Sequence, residues 1–251
     1  MSFVEDLTKR YEQMLNSATN SYKTEYQCLK CKDTGWVNVI ENGHTYVAIC
    51  PCAVAKKNKA IMERSGISLE FQTKNFENFN TKNNPQLVIA KNKAIFYSEN
   101  FLQFEHTRYN SILFCGQVGA GKTHLGVSIC NHLISQNISV IYMAYRNSIT
   151  KLKQKIMDDV YYDRELKRYA TARVLYIDDL FKGKITESDI NIMYEIINYR
   201  YINRLPVIVS TELFLNDLIE CDEAIGSRIM ELCKGNLISF REKELNYRVY
   251  S

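Results

Sequence analysis

The segment Gly116-Gln117-Val118-Gly119-Ala120-Gly121-Lys122-Thr123 constrains this chain most, because G-x-x-x-x-G-K-[ST] works only between a strand and the start of a helix. Both flanks have the required pattern. The apolar run Ser111 to Cys115 leads in, and Leu125, Ile129, Cys130, Leu133 and Ile134 follow at helical spacing. Glycines let backbone N–H groups close around phosphates, and the helix N-terminus adds partial positive charge. The expected nucleotide-binding residues are therefore Gly116, Gly119, Ala120, Gly121, Lys122, Thr123 and the adjoining His124. Lys122 is expected to bridge the β- and γ-phosphates of ATP, and Thr123 to ligate Mg²⁺.

A matching half of the site lies downstream. Arg173 to Ile177 is an apolar strand that ends in two carboxylates, Asp178 and Asp179. An acid at such a strand end supports Mg²⁺, and the next can polarise the attacking water. We assign Asp178 to the metal and Asp179 to water activation. Aspartate is shorter than glutamate, so turnover is expected to be slow. Ser139 to Tyr145 and Leu205 to Thr211 read as two further strands, and Thr211 stands where a γ-phosphate sensor would sit. Strands alternating with helices around a phosphate loop specify an α/β fold, with a parallel sheet flanked by helices.

The chain is 251 residues long, enough for one large domain and a small appendage, with a net charge of +4 and 46% hydrophobic residues. No stretch approaches the ~20 apolar residues of a membrane span, and no secretory signal pattern opens the chain, so no membrane partner is expected and the protein reads as cytoplasmic. Four of its eight cysteines fall in the first 52 residues, as Cys28-Leu-Lys-Cys31 and Cys50-Pro-Cys52. Two thiolate pairs on either side of a short β-ribbon can converge on one zinc ion. His44 lies between them and competes for the fourth position, since the C-x-C spacing of the second pair is tight. The expected zinc ligands are therefore four of Cys28, Cys31, His44, Cys50 and Cys52. Ahead of this knuckle, Val4, Leu7, Tyr11, Met14 and Ala18 make an amphipathic stripe, and Ser2 with Glu5 forms a capping box. The chain turns polar from Gly66 to Pro85, and we place the domain boundary after residue 75, with an N-terminal domain of residues 1–75 and an ATPase domain of 76–251.

Taken together, these residues resemble the DnaC/DnaI-type replicative helicase loaders of the AAA+ class, including bacteriophage relatives. The resemblance is carried by the cysteine knuckle followed by Asp33-Thr-Gly35, Phe76-Glu-Asn-Phe79, the phosphate loop, Ile177-Asp-Asp-Leu180, Ile196 to Tyr201, Ile225-Gly-Ser-Arg228 and Asn246-Tyr-Arg248. It implies that Arg228 is an arginine finger reaching a neighbouring subunit's nucleotide and that Arg248 is a sensor-2 arginine in its own subunit. It also implies a hexameric replicative helicase as partner, single-stranded DNA as ligand, and self-association into a ring or spiral. Where the family often carries asparagine as first sensor, this chain has Ser210-Thr211-Glu212. Between Arg146 and Lys184, ten Lys or Arg stand against six Asp or Glu, with Tyr145, Tyr161, Tyr162, Tyr169 and Phe181 interleaved as candidate base-stacking residues. The function expected is ATP-dependent helicase loading with weak ATPase activity. The alternative is a transposition helper ATPase of the related IstB type.

Overall fold

The structure, a computed structural model, describes residues 26–41 and 44–250. The stripe and capping box expected at residues 2–18 lie outside them. Two compact units divide between Ala55 and Lys56. In the first, β1 (Trp36–Glu41) pairs antiparallel with β2 (His44–Ile49), from Trp36 opposite Ile49 to Glu41 opposite His44. Cys50 N–H donates to Gly35 O at 2.8 Å and Lys32 N–H to Cys28 O at 2.8 Å, so both cysteine pairs sit at the same end of the ribbon. Helix α1 (Pro51–Ser65) starts on a proline, whose missing N–H has no partner to lose in a first turn, and runs across the division.

The second unit holds the parallel sheet. Strands β3 (Ile112–Gly116), β4 (Val140–Ala144), β5 (Val174–Asp178), β6 (Val207–Thr211) and β7 (Leu237–Phe240) pair parallel in the order β4-β5-β6-β3-β7. Four of them coincide with the apolar runs; β7 was not expected. Around the sheet lie α2 (Pro85–Glu99), α3 (Lys122–Ser135), α4 (Tyr145–Gln154), α5 (Asp159–Thr171), α6 (Glu187–Ile202), α7 (Leu215–Cys221) and α8 (Glu223–Leu232).

Both faces of the sheet are covered, so its strands are apolar throughout rather than alternating. Ile112 and Phe114 point into one core with α2 and α3, while Leu113 and Cys115 point into the other with α4, α6 and α8. The order of strands sets the site. β6 lies between the phosphate-loop strand β3 and the acid-bearing strand β5, so the end of β6 adjoins both.

Residues 56–75 belong to the sheet unit. Asn131 Nδ2, on α3, donates to Phe71 O at 3.0 Å and to Lys74 O at 2.7 Å, which satisfies backbone that a separate N-terminal domain would leave to solvent. The compact units therefore meet ahead of the boundary placed after residue 75. Among the described residues Arg200 is the largest fully buried side chain, although it lies in the Ile196 to Tyr201 segment where a helical arginine would be read as surface. Its Nη1 donates to the carbonyls of Tyr169, Ala170 and Ala172 at 2.9 to 3.1 Å, and Nη2 to Pro206 O at 2.6 Å, closing the end of α5 onto the start of β6.

Candidate active site and metal centre

Gly121 caps α3 with φ +84, a left-handed conformation that a side chain would strain, and a Cβ there would lie 2.5 Å from the Phe79 ring. The loop is thus closed by the Phe76-Glu-Asn-Phe79 linker on one side. On the other, Tyr247 N–H donates to Gly119 O at 3.1 Å. Lys122 is buried, with its ammonium donating to Gly116 O at 2.8 Å and Gln117 O at 2.7 Å. Burial lowers its pKa, opposed by the charges of Glu212 and Asp179, so the lysine is a desolvated cation that an anion would stabilise.

Next to it, Asp178 is almost fully enclosed. Its Oδ1 accepts from Thr123 Oγ1 at 2.9 Å, Tyr176 Oη at 2.6 Å and Ser210 Oγ at 2.5 Å, while Oδ2 accepts from Tyr142 Oη at 2.8 Å. Burial first, and then the Asp178 charge, push both phenols well up, so they remain donors. The arrangement fits Mg²⁺ held through Thr123. Its hydroxyl proton is committed to Asp178, which leaves the oxygen lone pairs for a cation. Tyr142, Tyr176 and Ser210 were not expected here. They lie on three neighbouring strands, and only the strand order brings them together.

Lys122, Thr123 and Asp178 border a cavity of about 360 Å³, the size of a small-molecule site, which is also lined by Phe71, Lys74, His124, Val127, Asp179 and Arg248. His124 Nε2 lies 2.9 Å from Asn75 O and 2.8 Å from Asn78 Oδ1. Asn75 N–H donates to that same Oδ1, so both neighbours are acceptors and Nε2 carries the proton. Burial lowers the His124 pKa, which leaves a neutral ring that closes the linker onto the loop. Ala120 is buried and can meet a ligand only through its backbone.

Thr211 and Arg228 are placed elsewhere. Thr211 is buried with its hydroxyl donating to Leu180 O at 2.8 Å, and it is not among the residues that line the cavity. The reason is the sharp turn after β5, which brings the Leu180 carbonyl against the end of β6. Arg228, on α8, lies over the rings of Tyr194 and Tyr201, with Nη1 donating to Ala224 O at 2.7 Å, and does not line the cavity of its own chain. Among the candidate base-stacking aromatics, Tyr145, Tyr169 and Phe181 are buried in the core, which corrects the expectation for those three. Charged helices of this kind turn their aromatic faces inward. Tyr161 does line a second cavity of about 260 Å³, together with Asn147, Lys151 and Arg168.

In the first unit, the sulfurs of Cys28, Cys31, Cys50 and Cys52 all lie within 4.8 Å of one another. Cys28 and Cys50 are 3.7 Å apart, and Cys31 and Cys52 3.3 Å. Four thiolates around zinc, at Zn–S of ~2.3 Å, stand ~3.8 Å apart, so the set fits a tetrahedral ion. His44 opens β2 at the opposite end of the ribbon and is not part of the cluster. Hydrogen bonding, first from the Cys31 backbone and then from Cys52, brings the Cys28 thiol down to about 6, while hydrogen bonding to Cys31 and Cys50 pushes Cys52 up. A bound zinc ion would hold all four sulfurs as thiolates.

A family model described as "IstB-like ATP binding protein" matches residues 68–230. The phage-like element PBSX protein XkdC of Bacillus subtilis (strain 168) is 35% identical over 249 residues, covering 94% of this chain and 91% of that protein. The replicative helicase loader DnaC of Escherichia coli (strain K12) is 27% identical, covering 92% and 89%. Among solved structures, the crystal structure of DnaI superposes with a TM-score of 0.58 at 19% identity, over 70% of this chain and 94% of that one, a likeness of fold.

Proposed function

The chain belongs to the family of IstB-like ATP binding proteins, and from that premise we propose that it is an ATP-controlled loader of a hexameric replicative helicase. The observation that carries this reading is the pairing, in one chain, of a nucleotide cavity built on the β3 and β5 strand ends with a separate cysteine-clustered unit outside the matched family region. The similarity to DnaC, named as a helicase loader, extends over both units. In this reading Lys122 contacts the β- and γ-phosphates, Thr123 and Asp178 hold Mg²⁺, Asp179 orients the attacking water and Arg248 touches the nucleotide from the cavity wall. Hydrolysis is slow, and it acts as a timer rather than as a motor.

Residues 1–75 grip the helicase, with zinc ordering the cysteine unit, and residues 76–251 bind single-stranded DNA when ATP is present. Arg228 serves a neighbouring subunit, which explains its distance from its own cavity and requires self-association into a ring or spiral. The protein acts in the cytoplasm. The IstB-type description supports a second reading, a transposition helper that assembles on duplex DNA and recruits a transposase.

Mixing the protein with the replicative helicase of the same genome and sizing the complexes by light scattering, with and without ATP, separates the two readings. A loader forms a defined complex with the hexamer whose stability changes with ATP. A helper leaves the helicase free and forms ATP-dependent filaments on duplex DNA.

A further inference from the structure

The turn after β5 carries a charge arrangement that the phosphate loop and the metal-site acid do not account for. Lys182 Nζ lies 2.8 Å from Asp179 Oδ2 and 2.7 Å from Glu212 Oε1, so one ammonium ties together carboxylates from the ends of two adjacent strands. The backbone that places it is firmly held. Asp179 N–H donates to Ser210 Oγ at 2.9 Å, Leu180 N–H to Ser210 O at 2.8 Å, and Lys182 N–H to Asp179 O at 3.1 Å. Asp179 (φ +56) and Phe181 (φ +59) both adopt a conformation that residues with a side chain rarely take, and Phe181 is anchored by burial and an edge contact with Tyr145 at 5.7 Å.

Glu212 and Asp179 both act on the Lys122 ammonium through space. Asp179 lines the same cavity as Lys122, and Lys182 joins Glu212 to Asp179, so a terminal phosphate held by Lys122 would come near both carboxylates. An unpaired Glu212 would repel it.

We propose that Lys182 is a positioning residue for ATP hydrolysis: it neutralises Glu212 beside the terminal phosphate and tethers the Asp179 carboxylate in the orientation that serves the attacking water. The inference rests on the reading of the cavity as an ATP site. It makes ATP and ADP respond differently to the same substitution, because only ATP carries the phosphate that faces Glu212.

The test measures ATP affinity, ADP affinity and kcat for full-length variants, with thermal melting as a control for folding. Lys182→Met exposes the Glu212 charge and should weaken ATP binding about tenfold with ADP binding unchanged, while kcat falls. Adding Glu212→Gln removes the Glu212 share of the repulsion, so the double variant should recover part of the ATP affinity but not kcat, since Asp179 still lacks its tether. Lys182→Arg should retain both. If Lys182→Met does not fold, Glu212→Gln alone carries the test, because it leaves Lys182 paired with Asp179 alone, removes one negative charge from beside the terminal phosphate and should tighten ATP relative to ADP.

Equal weakening of ATP and ADP, failure of the double variant to recover ATP affinity, or no ATP-selective change in Glu212→Gln overturns the proposal. Wild-type protein without ATP affinity, or Lys122→Ala binding as tightly as wild type, overturns the ATP-site reading instead.

Discussion

Tyr176 and Asp178 sit two residues apart on β5 and face the same side, so the phenol of one donates at 2.6 Å to the carboxylate of the other. Gly126 on α3 makes room for this contact, because a Cβ there would fall 2.5 Å from the Tyr176 ring. The expected consequence is that Tyr176 acts on the metal through Asp178. Tyr176→Phe should raise the Mg²⁺ concentration needed for half-maximal ATP hydrolysis by about tenfold, the usual scale for a group that orients a metal-site residue. Gly126→Ala should do the same by displacing the ring. Unchanged Mg²⁺ dependence in both would show that Thr123, Tyr142 and Ser210 suffice.

The cysteine cluster predicts about one zinc ion per chain by elemental analysis. Trp36, the protein's one tryptophan, lies in the ribbon and reports on it directly. Chelation should shift Trp36 fluorescence while ATP binding persists, because no cysteine of the cluster lines the nucleotide cavity. Cys50→Ser should lose the metal and His44→Ala keep it. Metal loss in His44→Ala would contradict the four-thiolate assignment.

Glu105 is buried and takes a bidentate contact from Arg173, at 2.6 and 2.8 Å, which holds its carboxyl below the usual range. A depressed carboxylate stabilises the fold above its unfolded value of ~4.3 and loses that contribution as pH falls through its folded value. Glu105→Gln should cost about 2 kcal/mol at pH 7, less than a fully buried pair because Arg173 is partly exposed. In urea denaturation the gap between variant and wild type should close below about pH 4. A gap independent of pH would mean that packing, not charge, is lost.

Arg228 offers a test of assembly. Arg228→Ala should leave the ATP affinity of the dilute monomer unchanged, since the residue does not line its own cavity, yet remove the rise of specific ATPase activity with protein concentration. Removing an arginine finger lowers kcat by about a thousandfold where one operates. Loss of monomer affinity would place Arg228 in a structural role on Tyr194 and Tyr201.

Much of this is legible in the residues themselves, for identifiable reasons. The phosphate loop, the strand ending at Asp178 and the paired cysteines are local patterns, fixed by backbone geometry and ligand spacing. β7 escaped notice because Leu237 to Phe240 is only four residues long and has no periodicity to announce it. Contacts made across strands were equally hidden. Arg200 looks like any helical arginine until α5 and β6 close over it, the Thr211 hydroxyl is taken by a carbonyl from the neighbouring turn, and Lys182 meets Glu212 only because β5 and β6 are adjacent. His44 drops out of the metal set once the ribbon register places it at the far end.

In the proposed function, ATP bound at Lys122 lets this protein place a helicase ring on DNA. A closed single-stranded circle offers no end for threading, so unwinding of an oligonucleotide annealed to such a circle, by the helicase of the same genome, measures loading directly. Wild-type protein should support unwinding, and Lys122→Ala should not, although the helicase has its own nucleotide sites. Equal unwinding with Lys122→Ala, or with no added protein, would contradict the account.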